Sequence, residues 1–140
     1  MKSENESSST LRIGKVTEFD AEKLRARVNF PELGIISHWL PLLVMNTLKT
    51  KDTYYLDEGE HVACIMRGTG TEAGYILGAI YDDKNTPEIQ DRGKRTVKFD
   101  DDTLIEYDRK EHKLTIDCSG DIEIKAKGHI GLTAGRIDFN

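Results

Sequence analysis

The sequence predicts an all-β chain in two parts: a small closed barrel, then a β-prism that three copies build together. Three observations carry this. Apolar and polar residues alternate with period two through most of 11–81, which is the strand signature. Turn residues cut that stretch into five short strands. From Gly120 the chain repeats itself about every eight residues, a unit too short to bury an apolar face alone.

Composition sets the limits. With 140 residues there is room for one ordinary domain, or for a small domain and a repetitive extension. The 37% hydrophobic and 32% charged content is that of a folded chain and not a disordered one. A net charge of −5 argues against nucleic acid as the main partner, because phosphate binding needs clustered Lys and Arg. No apolar run approaches the ~20 residues of a membrane-spanning helix. Residues 1–10 are rich in Ser and Glu and lack the apolar centre of a secretory signal, so a flexible arm is expected there.

The barrel is expected over 11–81. Leu11, Ile13 and Val16 open it, with a bulge expected at Gly14. After a turn at 20–23, Leu24, Ala26, Val28 and Phe30 alternate with Arg25, Arg27 and Asn29, a half-buried strand that Pro31 ends. Residues 35–43, with Trp39 at the centre and Pro41 inside, read as an edge strand, since proline cannot donate to a ladder. The polar connection 46–57 has room for a short helix without specifying one. Val62, Cys64 and Met66 form the next strand. Gly68, Gly70 and Gly74 surround a hairpin turn, and 75–81 returns as its partner. Five short strands in about seventy residues suggest an OB-fold. Val28, Phe30, Trp39, Val62 and Leu77 are its expected core.

Residues 82–93, polar and holding Pro87, read as a linker, and 94–140 as the repetitive part. Gly120-Asp121-Ile122-Glu123-Ile124-Lys125-Ala126 is followed by Gly128-His129-Ile130-Gly131-Leu132-Thr133-Ala134, and then by Gly135-Arg136-Ile137-Asp138-Phe139. Leu114, Ile116 and Cys118 occupy equivalent places upstream. Val97, Phe99, Thr103, Ile105 and Tyr107 are looser members. The face opposite the apolar one carries Glu123, Lys125, Arg136 and Asp138, so the core must be completed by other strands. Identical copies around a three-fold axis supply them. The expected trimer core is Leu114, Ile116, Ile122, Ile124, Ile130, Leu132, Ile137 and Phe139. The competing reading is an antiparallel meander continuing the first part.

Chemistry-bearing residues give little. Cys64 and Cys118 sit in unrelated contexts on apolar strand faces, as small buried hydrophobes would. His38, His61, His112 and His129 are scattered without ligand spacing, so no metal and no cofactor is expected. Asp100, Asp101 and Asp102, and Asp57, Glu58 and Glu60, are paired carboxylates of the kind acid–base chemistry uses. Both groups lie at turns, where Asp bonds to local backbone. No catalytic residue is expected. Arg12, Lys15, Lys23, Arg25 and Arg27, with Trp39 and Tyr54 for stacking, sustain an alternative: an OB-fold that binds oligosaccharide or nucleic acid.

A run of motifs resembles the baseplate assembly protein V family of phage tails and the OB-fold module of type VI secretion spike proteins. The motifs are Leu11-Arg12-Ile13-Gly14-Lys15-Val16, then Leu24-Arg25-Ala26-Arg27-Val28-Asn29-Phe30-Pro31-Glu32-Leu33, then Trp39-Leu40-Pro41. Leu56-Asp57-Glu58-Gly59-Glu60-His61-Val62 and Gly74-Tyr75-Ile76-Leu77-Gly78-Ala79-Ile80-Tyr81 follow in the same order. Together they span about 11–87, and the repeats match the β-helix expected downstream. The resemblance implies a non-catalytic central spike of a contractile injection particle. It would be made in the bacterial cytoplasm and carried in the tail baseplate of a virion or phage-like particle, where it pierces the target-cell envelope. It also implies a homotrimer, a baseplate hub protein on the OB-fold side, and a separate tip-capping protein that contacts Phe139 and Asn140. Two departures stand out. Residues 82–93 are too few for the lysozyme domain of some relatives. Gly128-His129-Ile130-Gly131 offers one His where some spikes place an iron-binding His-x-His pair, so no metal tip is expected.

Overall fold

The computed structural model describes residues 9–68 and 73–140. Most of the expected arm, and Gly70 of the expected hairpin turn, lie outside these residues. Ser9 and Thr10 already belong to a strand. The chain is all-β, with no helix among the described residues. It divides into two compact units, Met1–Pro87 and Glu88–Asn140, so the division falls inside the expected linker.

Unit 1 holds β1 (Ser9–Asp20), β2 (Arg25–Phe30), β3 (Ile35–Ile36), β4 (Leu40–Pro41), β5 (His61–Arg67) and β6 (Gly74–Ala79). The sheet path is β3-β2-β1-β5-β6, with β4 also on β2, and every strand pairing is antiparallel. β1 is long enough to serve two neighbours. Its first half pairs with β5, from Ser9 with Arg67 to Lys15 with His61, and its second half with β2, ending at Asp20 with Arg25. The expected closed barrel is not seen, because the path is open. The chain just after β4 meets β6 at one isolated parallel bridge between Leu42 and Ile76, where Leu43 N donates to Ile76 O at 3.1 Å.

Alternation decides the core. Ala26, Val28 and Phe30 of β2 and Val62, Cys64 and Met66 of β5 point inward, and Val16, Leu40, Leu42, Leu56 and Ile76 join them. Two expected core residues do not. Trp39 lies in the gap between β3 and β4, is 36% exposed, and stacks against the Arg25 guanidinium 5.0 Å from the ring centre; Leu40 takes the buried place beside it. Leu77 is 41% exposed. The β5–β6 register steps from Ala63 with Gly78 to Cys64 with Ile76, which turns Ile76 inward and leaves Leu77 as the extra, outward residue.

The expected bulge is also displaced. The β1–β2 register shifts between Val16 and Glu18, not at Gly14. Gly14 has another reason to be glycine: a Cβ there would stand 2.5 Å from both Asn29 O and Val28 Cγ1. The third strand is broken between β3 and β4 and mended by a side chain. Ser37, fully buried, accepts from Val28 N through its Oγ at 2.9 Å and donates to His38 O at 2.7 Å. In the 46–57 connection no helix forms. Its neck is closed by Asp52 N donating to Asn46 O and Asn46 Nδ2 donating to Asp52 Oδ2, both at 3.0 Å, and Leu56 anchors its end in the core.

Unit 2 opens with β7 (Lys94–Lys98), β8 (Leu104–Asp108) and β9 (Lys113–Asp117), an antiparallel meander. Aspartates build its turns. Asp101 Oδ1 accepts from Thr103 N at 2.9 Å, and Asp108 Oδ1 accepts from Lys110 N at 2.9 Å and Glu111 N at 3.2 Å. The meander reading therefore describes 94–117, including the looser members Val97, Phe99, Ile105 and Tyr107. It stops there: 118–140 contains no strand paired within the chain.

Candidate assembly surface

The meander of unit 2 has its faces reversed. Val97 pairs with Ile105 and Ile105 with Ile116; Arg95 pairs with Tyr107 and Tyr107 with Leu114. Directly paired residues share a face, so Val97, Ile105, Tyr107, Leu114 and Ile116 form one apolar sheet surface. All five are exposed. The residues half-covered are those of the opposite face, Lys94, Thr96, Leu104, Glu106 and Thr115, with Lys94 Nζ 3.7 Å from Glu106. A sheet that covers its polar face and bares its apolar one is incomplete as a single chain.

The repeats continue the pattern without any sheet. Every residue of 119–140 is exposed, and among the described residues no backbone–backbone hydrogen bond is made within or to 120–140. The side chains nevertheless alternate. Lys125 Nζ reaches Glu123 Oε1 at 2.6 Å, and Arg136 Nε donates to Asp138 Oδ1 at 2.9 Å. Residues two apart meet only on one side of an extended chain. Ile124 and Ile137, lying between the members of these pairs, therefore point to the other side. Ile122, Ile124, Ile130, Leu132, Ile137 and Phe139 are all exposed, Ile124 to 73%. Unpaired backbone and a bare apolar stripe coincide over the same residues.

Unit 1 carries an apolar surface of its own. The outward residues of β1, β5 and β6 include Leu11, Ile13, Ile65, Tyr75 and Leu77, all exposed, with Leu11 paired to Ile65 and Ile65 to Tyr75. The β2 side differs: Arg25 Nε donates to Asp20 Oδ2 at 2.8 Å, and Arg27 Nη1 approaches Glu18 Oε2 at 3.4 Å.

The remaining candidates are dispersed. Arg25 and Arg27 are held by those carboxylates, and Arg27 Nε also donates to Ser37 O at 3.1 Å. The Tyr54 hydroxyl donates to Leu43 O at 2.9 Å. Burial pushes the Cys64 thiol up to about 12, so it is no thiolate nucleophile at neutral pH. Cys118 lies just beyond β9, half-covered, and its Sγ donates to Asp121 O at 3.4 Å. Among the described residues no group of His, Cys, Asp and Glu is arranged to hold a metal ion. Asp57, Glu58 and Glu60 do gather, with His61, Asp82 and Asn85, around an open depression of about 610 Å³. Desolvation, and then the Asp57 charge, raise the Glu60 carboxyl. The pairing of His61 with Asp82 was not legible in the sequence, where nothing periodic links a strand's first residue to a turn aspartate beyond the next strand.

Neither comparison with known protein families nor comparison with curated proteins finds a match for this chain.

Proposed function

We propose that this chain is the central spike of a contractile injection particle, a homotrimer in which unit 2 forms an intertwined triangular β-prism. The observation that carries the reading is the 120–140 segment, where a bare apolar stripe runs along backbone that makes no backbone–backbone hydrogen bond among the described residues. Buried or regular backbone groups are nearly always paired, and strands of two further copies are the simplest source of both missing things. The reversed meander supports the same arrangement. Its exposed face, with Leu114 and Ile116, would join Ile122, Ile124, Ile130, Leu132, Ile137 and Phe139 in one core. Salt-bridged pairs such as Glu123–Lys125 would stay outside, keeping the shaft wetted and its surface unattractive to stray strands.

Unit 1 would be an OB-type barrel. The neighbour relations of β1, β2, the broken third strand, β5 and β6 support it, with the Leu42–Ile76 bridge as the point of closure. The ordered motifs from Leu11 to Tyr81 connect this arrangement with tail baseplates. A hub partner on the unit 1 side, a separate tip protein at the far end, and a place in the virion or phage-like particle belong to the same reading and rest on that resemblance. The mechanism is mechanical, with no chemical step: sheath contraction drives the shaft into the envelope, and interchain hydrogen bonds resist bending.

The test is complementation in a bacterium that produces the particles. Wild-type chain should restore envelope puncture to a deletion strain, and a tagged copy should be seen at the tail end. Ile124→Asp should restore neither. Particles that are complete and active without this chain would overturn the reading.

A further inference from the structure

β1 has a neighbour on both sides over only part of its length. Against β5 it is paired from Ser9 to Lys15, but against β2 the register begins at Lys15 with Asn29. The sequence explains the gap. Two residues beyond Asn29 the neighbouring chain reaches Pro31, which has no N–H to give to a ladder. It curls away there, with Leu33 N donating to Phe30 O at 3.1 Å and Gly34 N to Pro31 O at 3.2 Å. Val16 uses both of its backbone groups on the β5 side, donating to Glu60 O at 2.9 Å and accepting from Gly59 N at 2.8 Å. Successive residues of a strand aim their backbone groups to opposite sides. Those of Leu11 and Ile13 therefore point away from β5, to the side on which no described strand is paired with them.

The side chains around this open edge have a common character. Leu11 and Ile13 are bare, and Ile65, Tyr75 and Leu77 extend the same apolar surface across β5 and β6. In a chain of net charge −5, the first half of β1, all of β5 and all of β6 contain no Asp or Glu. Their charges are cations, Arg12, Lys15 and Arg67, and none of the three is in an ion pair among the described residues.

We propose that the open edge of β1 over 9–13 takes an extended segment of a partner protein in which apolar and acidic residues alternate, added to the sheet as a further strand. Apolar residues of that segment extend the surface of Leu11 and Ile13. Its carboxylates meet Arg12, which points to the other face between them. Arg12 falls at a position where the two strands exchange no hydrogen bonds and side chains across the pair stand closest. A second copy of this strand does not fit, because antiparallel pairing of Leu11-Arg12-Ile13 with itself sets Arg12 against Arg12. The same cation thus guards the edge against self-association and selects an acidic occupant. The inference stands on unit 1 alone and holds whether or not unit 2 assembles.

Two labelled peptides test it on the 140-residue chain by fluorescence anisotropy. One alternates valine and glutamate, and the other, of the same length, valine and lysine. The glutamate peptide should bind about tenfold more tightly, the size of one or two opposite-charge pairs replaced by like ones, and more weakly as salt is raised. Arg12→Glu, which leaves the backbone untouched, should reverse the preference. Ile13→Pro, which removes a free edge donor, should lose the glutamate peptide while circular dichroism stays that of the wild type. Absence of binding, equal binding of the two peptides, or a preference unchanged by Arg12→Glu would overturn the proposal. So would a wild-type oligomer whose mass falls in Ile13→Pro, because the occupant of the edge would then be a second copy.

Discussion

Single side chains in unit 1 are fixed by close approach and by buried polar accounting. Gly14 leaves no room for a methyl group between Asn29 O and Val28 Cγ1. Gly14→Ala should therefore lower stability in urea unfolding by about 1–3 kcal/mol, the usual cost of overpacking; an unchanged midpoint would show that β2 yields freely. Ser37 replaces a missing ladder bond with its hydroxyl. Ser37→Ala leaves Val28 N without that acceptor and should cost about 1–3 kcal/mol, whereas Ser37→Thr tests only the space. Asp82 gives a pH signature. Its folded carboxyl lies at about 2, below the ordinary value, so its contribution is complete above the unfolded value and is lost as the pH falls from about 4 through 2. A carboxyl titration followed by NMR should place its midpoint near the bottom of that window, and a midpoint at the ordinary value would contradict the turn geometry. Little of this was legible in the sequence. Glycine at 14 signalled a special position, but it read as a bulge, because alternation reveals parity and not what stands across the sheet. Ser37 gave no signal at all.

At the scale of elements, period-two alternation identified β1, β2, β5 and β6 and put the correct faces of β2 and β5 inward, but in β1 it grouped Leu11 and Ile13 with the buried Val16, and both lie outward in an unbroken register. It failed at breaks. The step from Ala63–Gly78 to Cys64–Ile76 exchanges the roles of Ile76 and Leu77, and a one-residue slip of this kind reverses every face beyond it. Trp39 was expected inside because large aromatics usually are; the gap between β3 and β4 leaves it against Arg25 instead. In unit 2 the strands' own alternation is clear, but the sequence does not say which strands pair within one chain. The aspartate turns at 101 and 108 close 94–117 into a meander, while 120–140 has glycines and no such turns. The elements also differ in what they should tolerate. Ile124→Asp or Leu132→Asp would bring three charges together around the axis, and burying an unpaired charge costs several kcal/mol. Both variants should lose the oligomer and become open to protease downstream of about Gly93, while unit 1 keeps its fold. An oligomer that survives both substitutions would mean that these side chains face water.

The whole molecule is two units with opposite relations to their own surfaces. Unit 1 buries Phe30, Leu40, Met66 and Ile76 completely and needs no second chain to do so. Unit 2 leaves Val97, Ile105, Tyr107, Leu114 and Ile116 bare, and after them the entire stripe from Ile122 to Phe139. That contrast was legible in outline, since a repeat of about eight residues cannot enclose a core. The open path of the unit 1 sheet was not, because five alternating strands read as a closed barrel, while Leu42 and Ile76 meet only at one isolated parallel bridge. Sedimentation equilibrium of the 140-residue chain decides whether three copies complete one another in unit 2. At micromolar concentration the mass should be three times the 15.8 kDa of the chain, with the Ile124→Asp protein at the mass of one. A wild-type chain that sediments as a monomer while 120–140 remains protected from protease would rule out the trimer.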